Sequence, residues 1–141
     1  MTNNIRYTLS KKDRLTSRKA ISHVFTKGTS FSLFPFRVTY VILPIEPTVL
    51  HAKPMQAGFS VSKKYFKKAV DRNRIKRLMK ETYRLQKNDL YQSLVTKPFQ
   101  LQFFLMYTGN DLPAYELVAQ KMAAILKRLA KITDLTLPRY D

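Results

Sequence analysis

Strict alternation of large apolar residues marks the clearest strand of the chain, at residues 99–107. Every second position there is apolar: Phe99, Leu101, Phe103, Leu105 and Tyr107. This is the period of a strand that buries one face. Residues 31–43 and 56–62 alternate in the same way, and Pro35 indicates a strand start or a sheet edge within the first stretch.

The two earlier stretches differ in what one of their faces carries. In residues 31–43 one face is apolar and is formed by Phe36, Val38, Tyr40 and Ile42. In residues 56–62 one face is made of small residues, Gly58, Ser60 and Ser62. Side chains this small allow a ligand to approach the sheet closely.

Apolar residues at spacings of three and four predict three helices. The first starts at a cap, Ser17 or Thr16, and ends at Gly28. The second covers residues 70–87, and its predicted buried stripe is Ile75, Leu78, Met79, Thr82 and Leu85. Asp111 and Pro113 start the third. Its predicted core face is Val118, Met122, Ile125, Leu129 and Ile132.

The resulting order, α-β-β-β-α-β-α, predicts the α+β class. We expect a two-layer α/β sandwich with a mixed sheet of about four strands and three helices. The length of 141 residues fits a single domain spanning 1–141. Residues 1–14 are interpreted as a flexible basic arm, and residues 135–141 as a tail.

Composition narrows the class of function. The hydrophobic fraction of 45% supports a packed core, and the formal net charge of +17 favours a nucleic-acid partner. A membrane-surface role is less favoured, because the cations are spread along the chain and the helix at 70–87 has no broad lipid-facing side. Cysteine is absent, which excludes thiolate chemistry. No stretch reaches the ~20 apolar residues of a membrane span, and no signal-peptide core is present, so we expect the cytoplasm.

Residues 63–87 concentrate the positive charge. They contain eleven of the 26 Lys and Arg residues, against two acids, Asp71 and Glu81. So dense a run of like charges repels itself unless a polyanion neutralises it. The alternative is an ordinary solvated face, but such faces normally mix the two signs.

On a helix the cations of this run form one outer ridge. Arg72, Lys76 and Lys80 fall on one side at four-residue spacing. Arg74, Arg77 and Arg84 fall on the flank beside it. Arginines in the first turn oppose the helix dipole and are stabilised only when an anion docks there. Asp71 is the predicted cap of this helix.

The run also carries a family signature. Ala69-Val70-Asp71-Arg72-Asn73-Arg74-Ile75-Lys76-Arg77, preceded by Ser60-Val61-Ser62-Lys63-Lys64, resembles the "RNR" region of the bacterial ribonuclease P protein subunit. The resemblance extends over about residues 14–132. It implies a left-handed βαβ crossover around the basic helix, although most such crossovers are right-handed.

The resemblance also implies site residues and partners. Contacts to the catalytic RNA subunit are expected at the matching positions Arg72, Asn73, Arg74, Lys76, Arg77 and Lys80. Lys63, Lys64 and Arg84 of the same basic run are added to this set. The leader of precursor tRNA is expected in a cleft between the first helix and the sheet, at Ile21, Phe25, Val38, Tyr40 and Ser60. Phe36 is added from strand alternation. From the pattern alone, Phe25, Phe36 and Tyr40 are equally compatible with core positions.

Two departures from the family pattern bear on these sites. Ile21 stands where the family usually has Phe, so one stacking surface is lost or supplied elsewhere. Residues 65–68 read Tyr-Phe-Lys-Lys, where many members have a turn that contains glycine. The family pattern therefore does not predict the shape of this loop.

A protein catalytic centre is not evident in the sequence. His23 and His51 have no partners that suggest a triad, and the nine acids are scattered. This fits a subunit of ribonuclease P that binds RNA while the RNA subunit holds Mg²⁺ and catalyses hydrolysis. The expected partners are that RNA and precursor tRNA, with no membrane and no obligate protein partner. A structural RNA-binding protein and a self-contained nuclease are the alternatives.

Overall fold

The computed structural model describes residues 9, 11–45 and 53–135. The helices are a short 3₁₀ helix at Lys11–Asp13, α1 at Arg18–Lys27, α2 at Ala69–Gln86, α3 at Asn88–Val95 and α4 at Tyr115–Leu135. The strands are β1 at Thr29–Leu33, β2 at Phe36–Pro44, β3 at Met55–Val61 and β4 at Phe99–Tyr107. The predicted α+β class with a mixed four-stranded sheet is confirmed. The predicted number of three helices is wrong, because α3 follows α2 directly.

The sheet has the strand order β1-β2-β4-β3. β1 pairs with β2 and β2 with β4 in antiparallel fashion, whereas β3 and β4 are parallel neighbours. Parallel neighbours need a crossover, and here α2 and α3 supply it. The left hand of this crossover stays a prediction.

The hydrophobic core lies on the face of the sheet that α2 and α4 cover. The alternating residues of β4 point into it, and Leu101, Phe103 and Leu105 are fully buried. Four residues of α4 meet them, Val118, Met122, Ile125 and Leu129, all with no exposed surface. The predicted core face of α4 is therefore confirmed, with Ile132 only partly buried at its end.

α1 crosses the opposite face and has the predicted ends. The Ser17 side chain caps it by accepting a hydrogen bond from the Ala20 amide, at 3.3 Å. Gly28 ends the helix, and its amide donates to the Val24 carbonyl at 2.8 Å. A Cβ at Gly28 would lie 2.7 Å from the Tyr40 carbonyl oxygen, so only glycine lets the chain turn this tightly into β1.

The buried stripe of α2 differs from the prediction at its C-terminal end. Ile75, Met79 and Thr82 are buried as predicted, but Leu85 is 41% exposed and Tyr83 is buried instead. The Tyr83 ring packs between Phe59 and Phe103, with centroid distances of 5.4 and 5.7 Å. These aromatic contacts centre the buried side of the helix near Tyr83 and turn Leu85 away from the core.

Two predicted helix starts are also corrected. The N-cap of α2 is Lys68, and Asp71 lies within the first turn. α4 begins at Tyr115, not at Asp111. The Asp111 carbonyl instead accepts a hydrogen bond from the Tyr107 hydroxyl at 2.6 Å, which holds the loop before the helix.

The end of the predicted flexible arm is ordered against β3. Arg14 forms a β-bridge with Ala57, and the Leu15 amide donates to the Ala57 carbonyl at 2.9 Å. Asp13 lies 3.6 Å from the Lys53 amine, in an ion pair. Residues 11–14 therefore belong to the folded domain. Apart from Leu9, the rest of the arm lies outside the described residues, as do His51 and residues 136–141 of the tail.

Candidate RNA interface

The outer side of α2 carries a ridge of exposed side chains above a buried base. Ile75 and Met79 have no exposed surface and fix the helix on the core. The predicted contact residues that are exposed on and before the helix are Lys63, Lys64, Asn73, Arg74, Arg77 and Lys80. Lys76 is half-buried beside them. We call the residues Asn73, Arg74, Lys76, Arg77 and Lys80 the α2 ridge.

The start of α2 adds backbone donors to this ridge. Lys68 makes no side-chain capping hydrogen bond within the described part of the chain. The first amides of a helix point outward at the positive end of its dipole, a favourable place for an anion. Arg74 is the sixth residue of α2 and lies one turn beyond these amides, so the predicted position of Arg74 in the first turn is wrong.

Arg72 has a different role from its neighbours. One nitrogen of its guanidinium donates to the carbonyls of Phe66 and Lys67, at 2.7 and 2.8 Å. These bonds fix the loop at residues 65–68, the segment that departs from the family pattern. Phe66 is buried, with its ring 6.1 Å from that of Tyr107. Arg72 therefore holds the loop in shape, and its half-buried side chain has less freedom to reach RNA.

Arg84 is engaged with an acid on the same helix. Its guanidinium donates to both carboxylate oxygens of Glu81, at 3.1 and 2.7 Å. These hydrogen bonds from Arg84 lower the pKa of Glu81, so the acid stays ionised and holds the arginine. Glu81 therefore partly neutralises the charge of Arg84, which is one of the predicted RNA contacts.

The predicted leader-binding residues divide between the two faces of the sheet. Phe36 and Val38 are 1% and 0% exposed and lie in the core beneath α2 and α4. Tyr40 is half-buried on the same side, with its ring 6.1 Å from that of Phe31. The placement of these three residues in a cleft under α1 is wrong, because their partners on β4 are the core residues Tyr107, Leu105 and Phe103.

Ile21, Phe25 and Ser60 do share the α1 face. Phe25 is 46% exposed, and its ring centroid lies 5.1 Å from that of Phe104 on β4. Phe104 lies over Gly58, where any Cβ would collide with the ring. The Ser60 hydroxyl oxygen is buried and has no hydrogen-bond partner in the described part of the chain.

Other side chains on this face, beside Phe25 and Ser60, were not predicted from the sequence. Thr39, Phe104 and Gly58 form one row across β2, β4 and β3. Arg37, Met106 and Ser60 form the next row, and Arg37 is exposed. We call the surface of Ile21, Phe25, Arg37, Ser60, Phe104 and Met106 the α1 groove. The polar residues at alternate positions of β2, Arg37 and Thr39, were the pattern that could have indicated this face.

Other chemical groups add little to these two surfaces. His23 is exposed on α1. Among residues 9, 11–45 and 53–135, no cluster of three or more His, Asp or Glu side chains is placed to hold a metal ion. Within the same ranges, no helix is long and apolar enough to cross a membrane.

A basic α+β sandwich with an exposed cationic helix, and with a half-exposed aromatic ring beside an exposed arginine, is typical of the RNA-binding class of protein. The model of the ribonuclease P family matches residues 9–130. The chain therefore belongs to the ribonuclease P family.

Two curated relatives agree with this membership, and a solved structure shares the fold. The chain is 37% identical over 130 residues to the ribonuclease P protein component of Porphyromonas gingivalis strain W83, with 92% of each chain covered. It is 32% identical over 121 residues to that of Chlorobaculum tepidum, covering 79% of this chain and 76% of the relative. The fold is similar to the RNase P protein from Thermotoga maritima, with a TM-score of 0.61 and 22% identity over 82% of this chain and 96% of that one.

Proposed function

We propose that this chain is the RNA-binding protein subunit of ribonuclease P. It assists the catalytic RNA in removing the 5′ leader of precursor tRNA by endonucleolytic cleavage. The α2 ridge binds the RNA subunit, and the α1 groove binds the leader. The expected place of action is the cytoplasm.

The observation that carries the proposal is the exposure of the α2 ridge on a rigid base. Arg74, Arg77 and Lys80 are exposed, while Ile75 and Met79 of the same helix are fully buried. Cations fixed in this way neutralise phosphates without reorganising, and they release counterions from the RNA. Guanidinium groups also donate two parallel hydrogen bonds to one phosphate.

The α1 groove supports binding of an unpaired strand. Phe25 is half-exposed against Phe104, and Arg37 provides an exposed cation on the row next to that pair. Bases stack on aromatic rings regardless of sequence, which suits leaders of varied sequence. Phe104 supplies a second ring in this groove, where Ile21 lacks one.

The chemical step is assigned to the RNA. Hydrolysis of a phosphodiester needs groups that activate water and stabilise the developing charge, and Mg²⁺ supplies both when it is bound. The described part of this chain offers no cluster of acids for such an ion. We therefore assign Mg²⁺ chiefly to the RNA subunit, and the protein's own residues bind and align the two RNAs.

The test compares the pure protein with the protein plus the structured RNA that co-purifies with it, each on a precursor tRNA. Cleavage only with the RNA present is the expected result. Cleavage by the pure protein would instead identify a self-contained nuclease. No cleavage in either reaction would favour a structural RNA-binding protein.

A further inference from the structure

We propose a second base-stacking surface around Phe34, which extends the RNA contact from the loop before α2 across one end of the sheet. The inference rests on the proposed function and deepens it. The surface consists of Phe34, Leu112 and Leu117, which are 73%, 47% and 36% exposed. We call these three residues the Phe34 patch. Together they line one cavity, and contiguous exposed apolar surface of this kind marks an interaction site.

The Phe34 patch is joined to the loop before α2 through the ends of three strands. Phe34 lies in the turn between β1 and β2, and the Thr108 amide after β4 donates to the Pro35 carbonyl at 2.7 Å. The Ser62 amide after β3 donates to the Tyr107 carbonyl at 3.2 Å. The turn and the two loops therefore form one continuous end of the sheet.

An aromatic and a cationic side chain occur together at each side of this end. At the β3 side, Tyr65 is 47% exposed and the Lys64 amine lies 5.3 Å from its ring centroid. At the far side, Phe34 and Lys121 line the same cavity. The three strand spacings between β3 and β1 amount to about 14 Å. Rings at both ends with cations beside them are the arrangement that tracks a single strand.

The net charge of the chain argues against a second copy of it as the occupant and leaves RNA, a polyanion, as the proposed one. A second copy would bring another net charge of +17 against the first. The rim of the patch itself holds one acid, Asp111, and one cation, Lys121. The patch is therefore close to neutral, and its affinity for RNA comes from stacking. Lys64 lies beside Tyr65 at the β3 side of the same sheet end, where it can meet the phosphates of the same strand.

This division predicts a loss of affinity without a change in salt dependence. The full chain is titrated with a fluorescein-labelled single-stranded decaadenylate at several salt concentrations, and dissociation constants are measured by anisotropy. Phe34→Ala is expected to weaken binding at least about fivefold, the lower limit for one stacked base, with an unaltered salt slope. Phe34→Tyr keeps the ring and is expected to bind like the parent chain.

The matched control is Leu135→Ala, because Leu135 is also 73% exposed but lies at the end of α4. Phe34→Ala is also tested in a Phe25→Ala background, where the loss is expected to persist because the two rings belong to different surfaces. Parent-like binding of Phe34→Ala, or an equal loss in Leu135→Ala, overturns the inference. So does a concentration-dependent dimer, seen by sedimentation, that Phe34→Ala abolishes.

Failure of this inference is distinguishable from failure of the proposed function. If Arg74→Ala reduces the salt slope while Phe34→Ala has no effect, RNA binds the α2 ridge but not the Phe34 patch. If neither variant alters binding of the decaadenylate or of the co-purifying RNA, both proposals are wrong.

Discussion

The exposed side of α2, which forms the α2 ridge, could be predicted from the sequence, whereas the exposed face of the strands in the α1 groove could not. α2 has one buried side, so the exposed Arg74 and Arg77 followed from its periodicity. The strands beside α1 are packed against α2 and α4 on one face and are only partly covered by α1 on the other. Alternation separates the two faces of such a sheet but does not say which one lies open.

As a consequence, the residues of β2 that face α1 lie one position away from those that were predicted. Phe36 and Val38 are core residues, and the side chains facing α1 are Arg37 and Thr39. A shift of one position exchanges the faces completely because the period of a strand is two. Ser60, assigned to the leader cleft by its position in the family pattern, lies on the same face as Arg37 and Thr39, and its contact with the leader stays a prediction.

Substitutions on the core face and on the α1 face of the sheet should differ most in their effect on stability. Phe36→Ala is expected to lower the free energy of unfolding by about 3–5 kcal/mol, because it opens a cavity in the core. Phe25→Ala should cost about 1 kcal/mol, since its ring is half-exposed and loses mainly the contact with Phe104. Urea denaturation followed by circular dichroism measures both. Similar costs for the two variants would contradict the placement of Phe36 in the core.

Binding of the leader should depend on Phe25, although its ring contributes little to stability. Phe25→Ala is expected to weaken binding of precursor tRNA to the reconstituted particle by about 1–3 kcal/mol, the energy of one stacked base. Mature tRNA lacks the leader and should bind unchanged. Val95→Ala is the control, because Val95 is 54% exposed on α3. Equal losses for both tRNAs would mean that Phe25 does not contact the leader.

Two arginines of the basic helix should behave differently. Arg74→Ala is expected to reduce the slope of log affinity against log salt by about 0.7–0.9, one phosphate contact, with little effect on stability. Arg72→Ala removes two hydrogen bonds to backbone carbonyls and should cost about 1–2 kcal/mol of stability. Salt titration and thermal unfolding of both variants test this division. A larger loss of salt dependence in Arg72→Ala would make Arg72 the principal RNA contact.

The smallest effect concerns the ion pair of Glu81 and Arg84. Glu81→Gln removes the negative charge that holds Arg84, so affinity for the co-purifying RNA is expected to rise slightly and its salt slope to steepen. Glu116→Gln, on exposed α4 surface, controls for the change in net charge. If both variants raise affinity equally, Glu81 acts only through the overall charge of the protein.

Much of the fold and half of the groove could be predicted from the sequence. Ser17 and Gly28 gave the ends of α1, because caps act locally. α3 was missed although Leu90 and Leu94 mark its buried side, because a helix of eight residues that starts directly after α2 shows no separate start signal. Arg72 could not be distinguished from Arg74, since its partners are backbone carbonyls whose position depends on the folded loop.

Reversing the charge of the α2 ridge tests the central claim most directly. Arg74→Glu, Arg77→Glu and Lys80→Glu combine three exposed positions, so circular dichroism should show an unchanged fold. We expect the particle reconstituted with this variant to cleave precursor tRNA no faster than its RNA without protein. Cleavage at the rate of the parent particle, with the variant correctly folded, would contradict the assignment of the ridge to RNA.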